Sequence, residues 1–169
     1  PENIFIWGDS SGGHTAVFVG LTSGNQALDT EDYAGFSDNV NAVVDFYGPT
    51  DIAKMKDFPS IFDHDKPTSP EGMLIGGLTV SENPEKAQKA NPINYINSGK
   101  SIPPILIAHG DKDRIVPFNQ SELLAQKLIE SGKEFDYYSL SEADHGSPEF
   151  WSTSMFDIVE KFVRANVKQ

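Results

Sequence analysis

Ser10 stands at the centre of a pattern that could carry nucleophilic chemistry. The segment Gly8–Gly12 reads G-D-S-S-G, which places a serine midway between two glycines. An apolar run at Ile4–Trp7 precedes it and a helical pattern over Ser11–Thr22 follows, so the chain must turn sharply between them. Such a turn strains the backbone of its central residue and presents the hydroxyl at the end of a sheet. We therefore predict that Ser10 is a nucleophile and that the N–H of Ser11 can stabilise an oxyanion.

Two later loops could supply the base and the carboxylate that a serine nucleophile requires. His145 follows a strand-like run, and Asp113 follows the apolar run Ile105–Ala108. Because parallel strands end at the same edge of a sheet, Ser10, Asp113 and His145 can meet there. Asp111 lies in the same turn as Asp113, so either carboxylate could orient the histidine, and we favour Asp113.

Other interpretations of these residues compete with this triad. A strand-to-helix turn can be rich in glycine without any chemistry. The string Gly8–Gly13 also matches the serine segment of trypsin-like proteases, but there the histidine and aspartate precede the serine, and no such pair precedes Ser10. Among the other histidines, we expect structural roles for His14, in helix packing, and for His109, in bracing its loop. We expect His64 to be solvated in a polar segment.

Short apolar runs predict the strands that position these residues: Ile4–Trp7, Ala42–Tyr47, Ile105–Ala108 and Phe135–Leu140. The first three are nearly continuous in apolar character and are followed closely by glycine, which is typical of strands buried on both faces. Helical patterns follow the strands. This alternation predicts an α/β fold with a mostly parallel sheet and helices on both faces.

The boundaries of two helices can be predicted from capping signals. Asn119 and Glu122 have capping-box spacing at the start of a helix that we expect to run to Ser131, with Leu123, Leu124, Leu128 and Ile129 as its apolar residues. The last helix is expected to open at Ser147 and Pro148. Its apolar stripe should pack on the sheet and consists of Trp151, Met155, Ile158, Val159 and Phe162.

The segment 51–101 interrupts the alternation of strands and helices. It is rich in Pro, Lys, Asp and Asn and is too long for a plain loop, so we interpret it as an inserted, cap-like excursion within one domain over 1–169.

The chain has 169 residues with a net charge of −12, which disfavours binding to nucleic acid. It has no cysteine, which excludes disulfides and thiolate sites. No apolar run approaches the ~20 residues of a membrane span, and no cluster has metal-ligand spacing, so we expect neither metal nor cofactor.

Several segments together resemble α/β-hydrolase esterases, in particular the feruloyl-esterase and acetyl-esterase-like branch of carboxylesterases and lipases. Those that carry the resemblance are Gly8–His14, Tyr47–Asp51, Ser69–Glu71, Leu74–Gly77, Asn91–Ile93, His109–Pro117, Asn119–Leu124 and Glu142–Gly146. The resemblance covers nearly the whole chain. It implies a serine carboxylic ester hydrolase that acts on a small-molecule ester, with Ser10, Asp113 and His145 as its triad.

One part of the family pattern is absent. These esterases carry an H-G-G-G-like oxyanion loop before the nucleophile, whereas this chain starts at the strand that feeds Ser10. We therefore expect a C-terminal portion of a larger hydrolase, truncated and with low activity. Its exposed Ile4–Trp7 edge should pair with a second copy as a homodimer. The alternatives are a prolyl-oligopeptidase-like serine peptidase domain and a non-catalytic α/β-hydrolase fragment.

Overall fold

Four parallel strands form the centre of the molecule. The computed structural model describes residues 2–28 and 30–168. The strands are β1 (Phe5–Asp9), β2 (Ala42–Phe46), β3 (Ile105–Gly110) and β4 (Phe135–Leu140), and they lie side by side in the order β1-β2-β3-β4. Every neighbouring pair is parallel. The predicted α/β class with a parallel sheet is therefore confirmed.

Helices cover both faces of this sheet. They are α1 (Ser11–Thr22), α2 (Pro70–Leu74), α3 (Pro84–Ala90), α4 (Asn119–Glu130) and α5 (Thr153–Ala165), with 3-10 turns at Ile52–Asp57, Pro92–Tyr95 and Pro148–Trp151. Because successive strand residues point to opposite faces, β2 contributes to two cores. Val43 packs with the residues of α1 and α4, and Val44 packs with those of α5. The two cores therefore pack against opposite faces of the sheet.

The helix predicted to start at Asn119 does so, but the capping box expected there is not formed. Phe118 occupies the cap position of α4, and Asn119 is already helical. Its side-chain amide donates to the carboxylate of Glu122 at 2.8 Å, so it caps no backbone group. Ile129, expected on the apolar face, is 67% exposed. A capping-box spacing shifted by one residue into the helix gives the same sequence pattern, which explains the error.

The last helix begins at Thr153 and not at Ser147-Pro148. The segment Pro148–Trp151 forms a separate 3-10 turn. Ser152 caps α5, because its hydroxyl accepts a hydrogen bond from Met155 N at 3.2 Å. Trp151 therefore lies outside the helix and is partly exposed, while Met155, Val159 and Phe162 pack on the sheet as expected.

The segment 51–101 has a small core of its own. Ile52, Ile75, Val80 and Ala87 are buried together, and α2 and α3 lie within this segment. Its buried start is tied to α4, since Thr50 and Asp51 N–H groups both donate to Gln120 Oε1 at 2.9 and 2.8 Å. The predicted inserted segment is thus folded, and hydrogen bonds to Gln120 attach its start to α4.

Strand β1 forms one edge of the sheet, and it exposes an aromatic surface. Trp7 is 42% exposed, and its ring packs against the similarly exposed ring of Phe156 with centroids 6.0 Å apart. No helix in the described ranges 2–28 and 30–168 is long and apolar enough to cross a membrane.

We predict that this chain forms a two-fold dimer through the β1 edge, because an apolar edge strand offers unpaired backbone groups to a second copy. Light scattering at micromolar concentration should give twice the mass of the chain. Trp7→Lys places a charge on this edge and should shift the protein towards monomer. A stable monomer of the unmodified chain under these conditions would refute the prediction.

Candidate active site

Ser10 sits at a sharp turn between β1 and α1. Its φ is +53° and its ψ is −123°, a strained conformation for a residue with a side chain. Its backbone N–H donates to Phe46 O at 2.8 Å, which holds the turn against β2. A side chain on Gly8 would collide with the backbone of Gly12, so this close crossing requires glycine. The turn therefore presents the hydroxyl of Ser10 at the C-terminal end of the sheet.

The structure brings Ser10, His145 and Asp113 into one hydrogen-bonded chain. His145 Nε2 lies 3.0 Å from Ser10 Oγ, and His145 Nδ1 lies 2.7 Å from Asp113 Oδ2. With the Nδ1 proton directed at the carboxylate, Nε2 is free to accept the hydroxyl proton. The arrangement can therefore remove a proton from Ser10 while the carboxylate faces the developing imidazolium.

The carboxylate of Asp113 is held by several donors. Its Oδ1 accepts the N–H groups of Ile115 and Val116 at 2.8 and 2.9 Å. Burial alone would raise the pKa of Asp113, but hydrogen bonds from His109 and His145 outweigh it and lower that pKa to about 2. Asp111 instead accepts from Glu142 N at 2.7 Å and braces the neighbouring loop. Of the two aspartates in the turn, Asp113 is the one that contacts His145.

His14 and His109 have structural contacts, as the sequence suggested. His109 is fully buried, with Nδ1 at 2.7 Å from Ser121 Oγ and Nε2 at 3.2 Å from Asp113 Oδ2. His109 therefore contacts the same carboxylate oxygen of Asp113 that faces His145. His14 Nε2 lies 2.9 Å from Ala90 O, and burial lowers the pKa of His14.

The expectation that His64 is solvated was wrong. Its side chain is only 4% exposed, and Nδ1 lies 3.0 Å from Glu71 Oε1. Nε2 lies 2.8 Å from Ser60 Oγ and 3.0 Å from Ile115 O. The polar composition around His64 suggested a solvated loop, whereas the folded segment buries this histidine against the loop that carries Asp113.

Tyr47 is a site residue that the sequence did not single out. It directly follows β2, has a φ of +46°, and is buried. Its ring meets the His145 ring edge-on, with centroids 4.6 Å apart, and its hydroxyl donates to Asp9 Oδ2 at 3.3 Å. Burial, followed by the charge of Asp9, raises the pKa of Tyr47. Tyr47 thus packs between the imidazole and the residue that precedes Ser10. A strained aromatic residue at a strand end leaves no distinctive sequence signal.

Asp45, in the middle of the sheet, was also missed. Its Oδ1 accepts Gly48 N–H at 2.9 Å, and any side chain at Gly13 or Gly48 would collide with this oxygen. Burial raises the pKa of Asp45 to about 7, although the Gly48 hydrogen bond acts in the opposite direction. Asp45 therefore bonds to the loop after β2 and lies close against the first turn of α1, which follows Ser10.

We predict that Asp45→Asn stabilises the protein at pH 8 but not at pH 4. A carboxyl group whose pKa rises on folding makes the free energy of unfolding fall as pH increases from 3.8 to about 7. Asparagine cannot ionise and keeps an oxygen for Gly48. Denaturant titrations should show a gain of roughly 2–4 kcal/mol at pH 8. The control is Asp136→Asn, which changes an exposed carboxylate on β4. An equal effect of Asp45→Asn at both pH values would contradict the prediction.

A pocket of about 200 Å³ adjoins Ser10. Its walls are largely apolar and include Pro49, Phe62, Ile115 and Val116. Ser11 also lines it and begins α1, so its N–H has no partner within the helix and can donate to a bound group. Within residues 2–28 and 30–168, no group of His, Asp and Glu is arranged to hold a metal ion.

Comparison with known proteins places this geometry in a family. A family model named BD-FAE matches residues 1–128. Esterase LipC of Mycobacterium tuberculosis is 28% identical in an alignment 151 positions long that covers 85% of this chain and 34% of LipC. YtmA of Bacillus subtilis, described as an uncharacterized peptidase, is 27% identical over 87% of this chain and 49% of its own length.

A solved structure shows the same fold at higher identity. The structure described as a truncated form of a carbohydrate esterase from gut microbiota superposes with a TM-score of 0.87 and 32% identity, over 98% of this chain and 60% of that one. This chain thus spans between a third and a half of the two curated relatives described above. The chain belongs to the BD-FAE family and carries part of the α/β-hydrolase fold found in its esterase relatives.

Proposed function

We propose that this chain is the catalytic portion of a serine hydrolase that cleaves carboxylic esters. The observation that carries the proposal is the continuous hydrogen-bonded chain from Ser10 Oγ through the imidazole of His145 to Asp113 Oδ2. Relatives named as esterases support an ester as the bond that is cleaved. The small-molecule substrate would place its carbonyl above Ser10, next to the largely apolar pocket.

The proposed reaction uses these three residues in turn. Ser10 Oγ attacks the ester carbonyl while His145 Nε2 accepts the hydroxyl proton. Asp113 orients the ring and stabilises its positive charge. The same proton then passes to the departing alkoxide, which leaves as an alcohol and leaves an acyl group on Ser10. Water, deprotonated by His145, attacks the acyl group, and the proton returns to Ser10 as the acid is released.

The tetrahedral oxyanion requires hydrogen-bond donors, and we assign one donor of this chain to it. Ser11 N–H is the donor that we assign, at the N-terminus of α1 where the helix dipole adds positive potential. Loss of one donor in such a site typically costs roughly 10²–10³ in kcat. We propose that these 169 residues alone turn over esters slowly, and that a second donor lies in a longer protein.

A serine peptidase is the second candidate. The relative YtmA, described as a peptidase, favours it, and amide hydrolysis uses the same nucleophile and base. The folded segment 51–101, together with the relatives named esterases, favours the ester. A third possibility, a binding module without catalysis, would leave the Ser10–His145 contact unused.

Matched substrates test the choice. A p-nitrophenyl ester and a p-nitroanilide of the same acyl group differ only in the bond that is broken. We expect hydrolysis of the ester, abolished in Ser10→Ala, and much slower cleavage of the anilide. Faster cleavage of a peptide anilide would identify a peptidase. Failure of the protein to react with any activated ester would support the non-catalytic alternative.

A further inference from the structure

His64 and Glu71 form a buried polar pair that the proposed reaction does not use. The two side chains are 4% and 6% exposed, and His64 Nδ1 lies 3.0 Å from Glu71 Oε1. Both residues belong to the inserted segment, and both line the pocket beside Ser10. Burying ionisable groups in this way is costly unless they are paired. The pair therefore needs a structural or functional explanation.

The surroundings of His64 imitate a second triad but exclude that role. Ser60 Oγ lies 2.8 Å from His64 Nε2, as a nucleophile would lie from its base. The same Nε2 lies 3.0 Å from the carbonyl oxygen of Ile115, which can only accept. Nε2 must therefore carry a proton, and a protonated nitrogen cannot activate Ser60. The hydroxyl of Ser60 instead donates to Ile115 O at 2.8 Å.

Both ring nitrogens of His64 face acceptors. Nε2 donates to the carbonyl oxygen of Ile115, whereas Nδ1 lies 3.0 Å from Glu71 Oε1 without the geometry of a hydrogen bond. Burial by itself lowers the pKa of His64, but Glu71, the Ile115 carbonyl and the charge of Asp63 outweigh it and raise that pKa. The charge of Glu71 also raises the pKa of His14, on α1, against the larger lowering by burial. A neutral His64 with its proton on Nε2 keeps the hydrogen bond to Ile115 O.

The partner of His64 belongs to the backbone that holds Asp113. Ile115 N–H donates to Asp113 Oδ1 at 2.8 Å, while the carbonyl of the same residue receives His64 Nε2. A parallel contact joins Ile61 N–H to Arg114 O at 2.9 Å. The inserted segment thus hydrogen-bonds to the two residues that directly follow Asp113. Loss of these bonds would free the loop whose N–H groups hold the Asp113 carboxylate.

We propose that His64 is a positioning residue, whose Nε2–H bond to Ile115 O clasps the inserted segment to the loop of Asp113 and so holds that carboxylate against His145. The inference deepens the proposed function and rests on it. A neutral imidazole with its proton on Nε2 still donates to Ile115 O, so the clasp holds in both protonation states of His64. Reactivity of Ser10 should therefore depend on a hydrogen-bond donor at the place of His64 Nε2.

Variants of His64 separate the hydrogen bond from the charge. The amide nitrogen of a glutamine can occupy the place of Nε2 and donate to Ile115 O at every pH. His64→Gln should retain the rate of Ser10 phosphonylation by a fluorophosphonate within about threefold. His64→Leu should lower this rate roughly tenfold at all pH values, because a misplaced catalytic group costs one to two orders of magnitude. Rescue by glutamine but not by leucine distinguishes the Nε2 hydrogen bond from the bulk of the ring.

An independent measurement follows the clasp without any reaction. In the NMR spectrum of the whole chain, the His64 ring should titrate above its ordinary value of 6.5. The amide signals of Ile115 and Val116 should shift with the same midpoint. Glu71→Gln should lower that midpoint, whereas Glu82→Gln, an exposed carboxylate of the same segment, should not.

The outcomes distinguish the two proposals. Amide signals of Ile115 and Val116 that do not follow the titration of His64, an unimpaired His64→Leu, or a His64→Gln as slow as His64→Leu would overturn the clasp while leaving Ser10 as the nucleophile. Absence of any reaction at Ser10 in the unmodified chain would overturn the proposed function. The NMR titration alone would then decide whether the clasp exists.

Discussion

Replacing Ser10 by alanine is expected to lower the rate of ester hydrolysis by about 10⁴-fold or more. The hydroxyl lies 3.0 Å from His145 Nε2, and alanine leaves this base without a nucleophile to activate. Because the side chain is at a strained turn held by backbone contacts, the substitution should not disturb the fold. Initial rates with an activated ester, with unfolding curves for both proteins, check the expectation.

A serine far from the site provides the control for this experiment. Ser98 is exposed in the inserted segment, and Ser98→Ala should leave the rate unchanged. Equal activity of Ser10→Ala and the unmodified protein would mean that another residue, or no residue of this chain, attacks the ester.

Asp113→Asn is expected to reduce kcat by about 10³–10⁴-fold with little change in overall fold. Asp113 Oδ2 accepts from His145 Nδ1 at 2.7 Å and lies 3.2 Å from His109 Nε2. An amide NH₂ placed there would oppose the Nδ1 proton and favour the tautomer that carries its proton on Nε2. That tautomer cannot accept the Ser10 proton.

The neighbouring aspartate supplies a matched control. Asp111 is in the same turn but accepts from Glu142 N–H and has no contact with His145 among those described. Asp111→Asn should therefore cost less than about tenfold. A larger loss for Asp111→Asn than for Asp113→Asn would exchange the roles of the two carboxylates.

The sequence predicted the site residues that lie directly after strands. Ser10, Asp113 and His145 each follow a strand of the parallel sheet, and the rule that such strands end on the same side predicts that the three residues lie close together. The bounds of α1 were also correct, because the turn at Ser10 and the helical pattern agree about where the helix starts.

Sequence could not predict the residues whose roles depend on distant partners. His64 stands in a polar segment, and only the folded insert reveals that Glu71 and the Ile115 carbonyl enclose it. Tyr47 follows an apolar strand like many aromatic residues, and its contact with His145 joins positions nearly a hundred residues apart. Asp45 is a single acidic residue in an apolar run. Its low strand propensity gives no sign that its side chain bonds to the loop after β2.

Covalent labelling tests the central claim most directly, since it needs a competent nucleophile but no complete turnover. The unmodified chain is treated with a fluorophosphonate, digested, and analysed by mass spectrometry. We predict one adduct, on the peptide that contains Ser10, and a labelling rate at least a hundredfold lower in His145→Gln, because the base is lost. An adduct on a different serine, or labelling of Ser10 that does not depend on His145, would contradict the account.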